Sequence, residues 1–217
     1  MSGLAASEYA RKGRDYFGSP RVDYVDALPM NPQARILEIG CGDGATGGLA
    51  LKAGRCGAYV GVELFAPMAE QAKEVLSAVH VGDVERLTLP YGPGHFDALI
   101  LSEVLEHLAN PEATLRRLAP LVRAGGLVFA SSPNVSHWRI ILGLIGGRFD
   151  YTDQGVMDRT HLRWFTPRSY RRMFEEAGFS VSSMHNLSAH RWRTRLLDLP
   201  GGHLFWGQID LRGIKAK

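Results

Sequence analysis

Five short apolar runs punctuate the first 132 residues of this 217-residue chain. They are RILEI (35–39), AYVGVEL (58–64), VHVGD (79–83), FDALILS (96–102) and GLVFASS (126–132). None alternates strictly between apolar and polar residues, as expected of strands covered by helices on both faces. Stretches of helical composition lie between most of them: TGGLALKAG, APMAEQAKEVLSA and a segment opening at Pro111, which suits a first helical turn. Repeated strand–helix units require right-handed crossovers, and so predict an α/β fold with a parallel, doubly wound sheet.

After Ser132 the rhythm breaks. The stretch from Pro133 to Phe165 is too long for an ordinary connection. Residues 134–163 read as an inserted helix plus loop, a lid over a substrate, within one domain spanning 1–217. Its glycines, Gly143, Gly146, Gly147 and Gly155, predict that it is the most mobile part of the chain. Regular structure returns with a helix in TPRSYRRMFEEAG, where Thr166 is an N-cap candidate, Pro167 a first-turn residue and Gly178 a stop. FSVSSMHNL and HLFWGQIDL then read as two strands without a helix between them, closing the sheet with an antiparallel hairpin.

The first run ends in a glycine turn, Gly40-Cys41-Gly42-Asp43-Gly44, that leads into a helix. Such a turn exposes backbone N–H groups at a helix start and lets a ligand approach closely. Three ligand classes compete for it. A phosphate-binding loop ends Gly-Lys-Ser/Thr, but Ala45 and Thr46 follow Gly44 here. A dinucleotide loop is spaced G-x-G-x-x-G, and Asp43 would repel a pyrophosphate. A cationic ligand, S-adenosylmethionine, fits better: the acids and carbonyls around Glu38 and Gly40 would hold its amino end. Glu63 closes the second run about 20 residues later, where a carboxylate takes both ribose hydroxyls. Asp83, after the third run, would accept a bond from the adenine amino group, with Val84 beside the ring.

ILEIGCGDG, VGVEL, GDVE and FDALILSEVLEHLANPEATLRRLAPLVRAGGLVF resemble, in order, the motifs of class I S-adenosylmethionine-dependent methyltransferases. The resemblance covers roughly residues 35 to 132. It implies a Rossmann-like, seven-stranded, mostly parallel sheet and methyl transfer from that cofactor. It places cofactor contacts on Glu38, Gly40, Cys41, Gly42, Glu63, Leu64, Asp83, Val84 and Ser102.

Methyl transfer to a hydroxyl also needs a base near the sulfonium, and histidine is best tuned for that near neutral pH. His107, His137 and His161 are the candidates, with His107 and His161 taken as catalytic. The segment from Ser132 to Phe179 resembles methyltransferases found with glycan and lipopolysaccharide biosynthesis, and its first half resembles methionine-biosynthesis-associated proteins. EVLEH with a later TH is similar to ubiquinone-biosynthesis O-methyltransferases and to small-RNA 2′-O-methyltransferases. In members of those two groups, glutamates and histidines hold a divalent metal, and the matching positions are Glu103, Glu106, His107 and His161. EVLEHL is also common in enzymes of the class that use no metal. Mg or Mn is therefore not favoured, and no metal ligand is assigned.

These readings predict O-methylation of a hydroxyl on a small-molecule or glycan-type acceptor. Arginines crowded from Arg159 to Arg195 favour an anionic one, unless they form a solvated helix face. A quinone or lipid enzyme in peripheral contact with a membrane is the alternative, because WRIILGLIGGRF resembles an interfacial segment. A cofactor-binding partner protein without catalysis is the other. The chain carries no lysine-rich tail or appended RNA-binding module, which argues against nucleic acid, and the sequence implies no oligomeric state. Two cysteines, Cys41 and Cys56, make no disulfide framework, and the N-terminus lacks a secretory pattern, so a cytoplasmic setting is expected.

Overall fold

The apolar runs form strands whose two faces are both covered. The computed structural model describes residues 20–187 and 201–217. In chain order the elements are α1 (Val22–Ala27), β1 (Arg35–Ile39), α2 (Ala45–Lys52), β2 (Ala58–Glu63), α3 (Ala66–Ala72), β3 (Ala78–Val81), β4 (Phe96–Ser102) and α4 (Pro111–Leu118). They continue with β5 (Val122–Pro133), α5 (Trp138–Ile145), α6 (Pro167–Glu176), β6 (Phe179–Asn186) and β7 (Gln208–Lys215). The seven strands lie in the order β3-β2-β1-β4-β5-β7-β6. The first five are parallel, and β7 runs antiparallel between β5 and β6. This is the doubly wound, mostly parallel sheet with an antiparallel end.

Side chains alternate between two cores. Leu37, Val60, Leu99 and Leu101 pack with Tyr170 and Phe174 of α6 on one face. Ile36, Tyr59, Ile100 and Phe129 pack with Tyr24 of α1 on the other. A fully buried side chain of this size is worth roughly 1.5–3 kcal/mol, so the central strands supply much of the stability. The strand order reverses between β1 and β4, and in doubly wound sheets ligands bind beyond the strand ends at that switch point.

Helix signals hold locally. Thr166 and Ser169 form a reciprocal capping box at α6, with Pro167 at the start. Asn110 accepts from the Ala113 N–H at α4, with Pro111 in the first turn.

Two boundaries differ from expectation. The helix expected over residues 66–78 ends at Ala72, because the following turn carries Leu76 inward beneath the glycine loop, where it is buried. The last strand starts at Gln208 rather than His203, and extends to Lys215. Residues Gly202–Phe205 form a 3-10 turn instead. The Asn134 side-chain amide donates to the carbonyls of His203 (2.8 Å) and Trp206 (3.0 Å), which holds that turn.

The connection after β5 has two halves. α5 contains no buried residue. Met157, Asp158 and His161 are buried, and the N–H groups of Leu162 and Arg163 donate to the Glu106 carbonyl at 2.8 and 3.0 Å. Hydrogen exchange is expected to divide the insertion accordingly. Amides between residues 144 and 155 should exchange fast, and those of Leu162 and Arg163 slowly. Uniform protection across 138–163 would contradict this.

Candidate active site

The C-terminal strand ends open into a cavity of about 1320 Å³. The glycine loop forms one wall. Gly40 and Gly42 hold φ of +70° and +56°, a region that other residues rarely adopt. A Cβ on Gly40 would also sit 2.5 Å from Val104 Cγ2.

Glu63, at the end of β2, pins this loop. Its Oε2 accepts the Gly42 N–H at 2.9 Å and its Oε1 the Phe65 N–H at 2.8 Å. Burial raises the Glu63 pKa, and these backbone donors oppose that shift. Each oxygen keeps a lone pair that can face a ligand hydroxyl.

Glu38 lies beneath the loop and accepts from the Tyr59 hydroxyl at 2.9 Å. Burial lifts its pKa to about 8, the Tyr59 bond works against the shift, and the Glu63 charge adds to it. Burial also pushes the Cys41 thiol well above its ordinary range, with Glu38 and Glu63 adding to the effect, so Cys41 is not an activated nucleophile. Asp83 Oδ1 accepts the Glu85 N–H at 2.9 Å, a turn that fixes its carboxylate at the rim.

Arg21 enters the site with no signal in the sequence: it is a lone arginine before a six-residue helix. Its Nη1 donates to Ser102 Oγ (2.7 Å) and Ser131 Oγ (2.9 Å), and its Nη2 to Asp210 (3.1 Å). Its backbone N–H donates to Thr46 Oγ1 at 3.1 Å. Burial disfavours the charge, but Asp23, Tyr24 and Asp210 more than compensate and hold the guanidinium protonated. One side chain thus joins α1 to the ends of β4, β5 and β7.

The far corner is built from the 3-10 turn Leu105–His107 and the inner half of the insertion. The His107 Nδ1 lies 3.2 Å from the Thr160 carbonyl, and the His161 Nδ1 lies 3.0 Å from the Val156 carbonyl. A carbonyl only accepts, so each Nδ1 carries hydrogen and Nε2 is the basic nitrogen. The two rings meet edge to face with centroids 4.8 Å apart.

Glu106 is buried beside them and accepts from Ser132 Oγ at 3.2 Å. Potential ligand atoms of Glu106, His107 and His161 all lie within 4.8 Å of one another. Glu106 Oε1 has no hydrogen-bond partner among the described residues, and neither has Glu103 Oε1. Burial raises the pKa of both carboxyls, and the Glu103 charge adds to the rise at Glu106. Glu103 also holds φ +53°, a strained backbone for a residue with a Cβ.

Every residue expected at the cofactor, from Glu38 to Ser102, lines this one cavity together with His107 and His161. His137 does not; its ring caps α5 by accepting from the Arg139 N–H at 3.4 Å. Arg21, Thr46 and Gln208 line the cavity without a signal in the sequence, and Asp158 and Arg159 line it from the insertion.

The family described as "Methyltransferase domain" matches residues 9–184. The chain belongs to the class I S-adenosylmethionine-dependent methyltransferases.

This methyltransferase is 36% identical over 185 residues to a Xanthomonas campestris pv. campestris (strain B100) protein named "Ubiquinone biosynthesis O-methyltransferase". The alignment covers 81% of this chain and 74% of that protein. Its fold resembles that of the "putative methyltransferase" solved in complex with the Haloferax volcanii Trm112 methyltransferase activator, with TM-score 0.65 and 16% identity over 100% of this chain and 97% of the other. A Mesorhizobium loti S-adenosylmethionine-dependent methyltransferase also has TM-score 0.65 and 16% identity, over 91% and 99% of the two chains.

If Glu63 receives the ribose, Glu63→Ala should weaken S-adenosylmethionine binding by about 10²-fold or more, since hydrogen bonds to a charged group are worth roughly 1.5–3 kcal/mol each. Calorimetry that finds unchanged affinity would remove Glu63 from that role. Glu38 predicts a pH effect. Its folded pKa of about 8 lies above the ordinary 4.5, so its contribution to stability is present below pH 4.5 and lost as pH rises toward 8. In the ligand-free protein, Glu38→Gln should flatten that part of the curve of melting temperature against pH. A variant that keeps the full slope would show that Glu38 is not its source.

Proposed function

We propose that this methyltransferase acts on a hydroxyl oxygen held at the Glu106–His107–His161 corner. The convergence of these three groups on the cavity lining carries the reading. S-adenosylmethionine, when bound, would supply the methyl group to the acceptor oxygen and would leave as S-adenosylhomocysteine, its sulfur keeping the electron pair of the broken carbon–sulfur bond. His107 or His161 takes the hydroxyl proton on Nε2, while the Thr160 and Val156 carbonyls hold the rings in the required tautomer. Such an arrangement supports turnover rather than a partner protein that only binds the cofactor.

A phenolic hydroxyl of the quinone-precursor type is the favoured acceptor. The relative from Xanthomonas campestris, named for ubiquinone biosynthesis, supports it. The arginine run gives less support to an anionic glycan. Arg171 and Arg172 pair with Glu175 and Glu176 at helical spacing on an exposed face, and of the described part of the run only Arg159 lines the cavity. The run beyond residue 187 lies outside the described residues.

A second reading of the corner rests on the orphaned Glu106 oxygen. One carboxylate and two imidazoles suit a divalent cation such as Mg, Mn or Zn, so the residues present fit the metal of similar enzymes. Glu106, His107 and His161 would hold it, and it would polarise the acceptor hydroxyl.

Assays against catechols, quinone precursors and sugar nucleotides test the proposal. His107→Ala and His161→Ala should lower turnover about 10²–10⁴-fold with cofactor affinity nearly unchanged if a histidine is the base. Full activity in both variants would overturn that role. For the metal reading, Mn binding measured by calorimetry should be lost in Glu106→Gln, and a chelator should abolish activity. A chelator without effect, together with no measurable Mn binding, would leave the histidines as base alone.

A further inference from the structure

Glu85 lies two residues past Asp83, on the turn that follows β3, and lines the cavity. Its Oε2 accepts the Ala109 N–H at 3.0 Å and its Oε1 the Asn110 N–H at 2.7 Å. A carboxylate with a donor on each oxygen is held firmly, and it clamps the turn to the chain that opens α4. Its charge also suits the positive end of that helix. Arg117 of α4 closes the clamp from below: Nη1 donates to the Leu87 carbonyl at 2.5 Å and Nη2 to the Val84 carbonyl.

The clamped segment is gripped from its other side by the insertion. Arg163 Nη2 donates to the Ala109 carbonyl at 2.5 Å, and the Leu162 and Arg163 N–H groups bond the Glu106 carbonyl. Residues Glu106–Asn110 therefore stand between the turn that carries Asp83 and Val84 and the strand of insertion that carries His161. His107 is part of that segment. We propose that Glu85 is a positioning residue that joins the cofactor wall to the histidine corner. An adenine resting on Asp83 and Val84 restricts the turn, and Glu85 and Arg163 pass that restriction through Ala109 to the insertion. The corner is then firmest once the cofactor is in place. The proposal rests on the reading that the adenine lies on Asp83 and Val84.

Calorimetry with S-adenosylhomocysteine, and hydrogen exchange of the full chain with and without it, test the proposal. In the wild type the ligand should slow exchange of the amides of residues 162 and 163. Glu85→Ala should bind the ligand about tenfold more weakly and should lose that response at saturating ligand. Glu85→Gln keeps one acceptor oxygen and should fall between. Arg163→Ala should bind the ligand as the wild type does and still lose the response. A Glu85 that only stabilised the fold would lower the melting temperature in Glu85→Ala and leave the response intact. A response of equal size in wild type and Glu85→Ala overturns the proposal, as does a wild type whose amides at 162 and 163 ignore the ligand. If Glu85→Ala does not fold, an undiminished response in both Glu85→Gln and Arg163→Ala overturns it. Asp83→Ala separates the two readings. Unchanged affinity there faults the placement of the adenine, whereas weakened affinity there with wild-type affinity in Glu85→Ala faults the role of Glu85.

Discussion

The glycine-loop wall of the cavity depends on the two hydrogen bonds made by Glu63. Inside the glycine turn, Asp43 Oδ1 accepts the Ala45 N–H at 3.0 Å. The Gly42 N–H, bonded to Glu63 Oε2, fixes the turn to the end of the neighbouring strand. The Phe65 N–H, bonded to Oε1, fixes the same carboxylate to the chain that starts α3. A buried carboxylate that takes two backbone donors is held in place before any ligand arrives. The turn therefore stands open over the strand ends. The close approach of Gly61 depends on the same packing, since a Cβ there would sit 2.4 Å from Cys41 Sγ.

The histidine corner hangs on a second tie, the Glu106 carbonyl with the Leu162 and Arg163 N–H groups. This pair of bonds fastens the inner half of a long insertion to the turn after β4. Together with the His107 Nδ1 bond to the Thr160 carbonyl, it brings His161 and His107 together, although 54 positions separate them in the chain. Arg21 supplies a third tie and closes the floor between α1, β4, β5 and β7. Three local devices thus assemble one cavity at the point where the strand order reverses.

That the strand-end residues would line one cavity was readable in the sequence, and the reason is geometric. Parallel strands end on one edge of the sheet, so residues at successive strand ends, such as Glu63, Asp83 and Ser102, must lie near one another. Capping rules likewise gave the start of α6, because Thr166, Pro167 and Ser169 act within one turn. What escaped depends on distant contacts. Arg21 carries no local pattern, and its partners Ser131 and Asp210 lie 110 and 189 residues away. The start of β7 was misplaced because HLFW has strand-like composition, while Asn134 holds it in a turn. The arginines of α6 left two readings open, a ligand surface and a solvated helix face, and Arg171 and Arg172 pair with glutamates one turn on, as on a solvated face.

Under the proposed function, one cavity aims the methyl group of S-adenosylmethionine at the Glu106–His107–His161 corner. A crystal structure with bound S-adenosylhomocysteine tests it most directly. The account predicts ribose hydroxyls on Glu63, the adenine between Asp83 and Val84, and the sulfur pointing along the cavity toward the two histidines. A ligand bound in that cavity with its sulfur directed away from His107 and His161 would contradict the account.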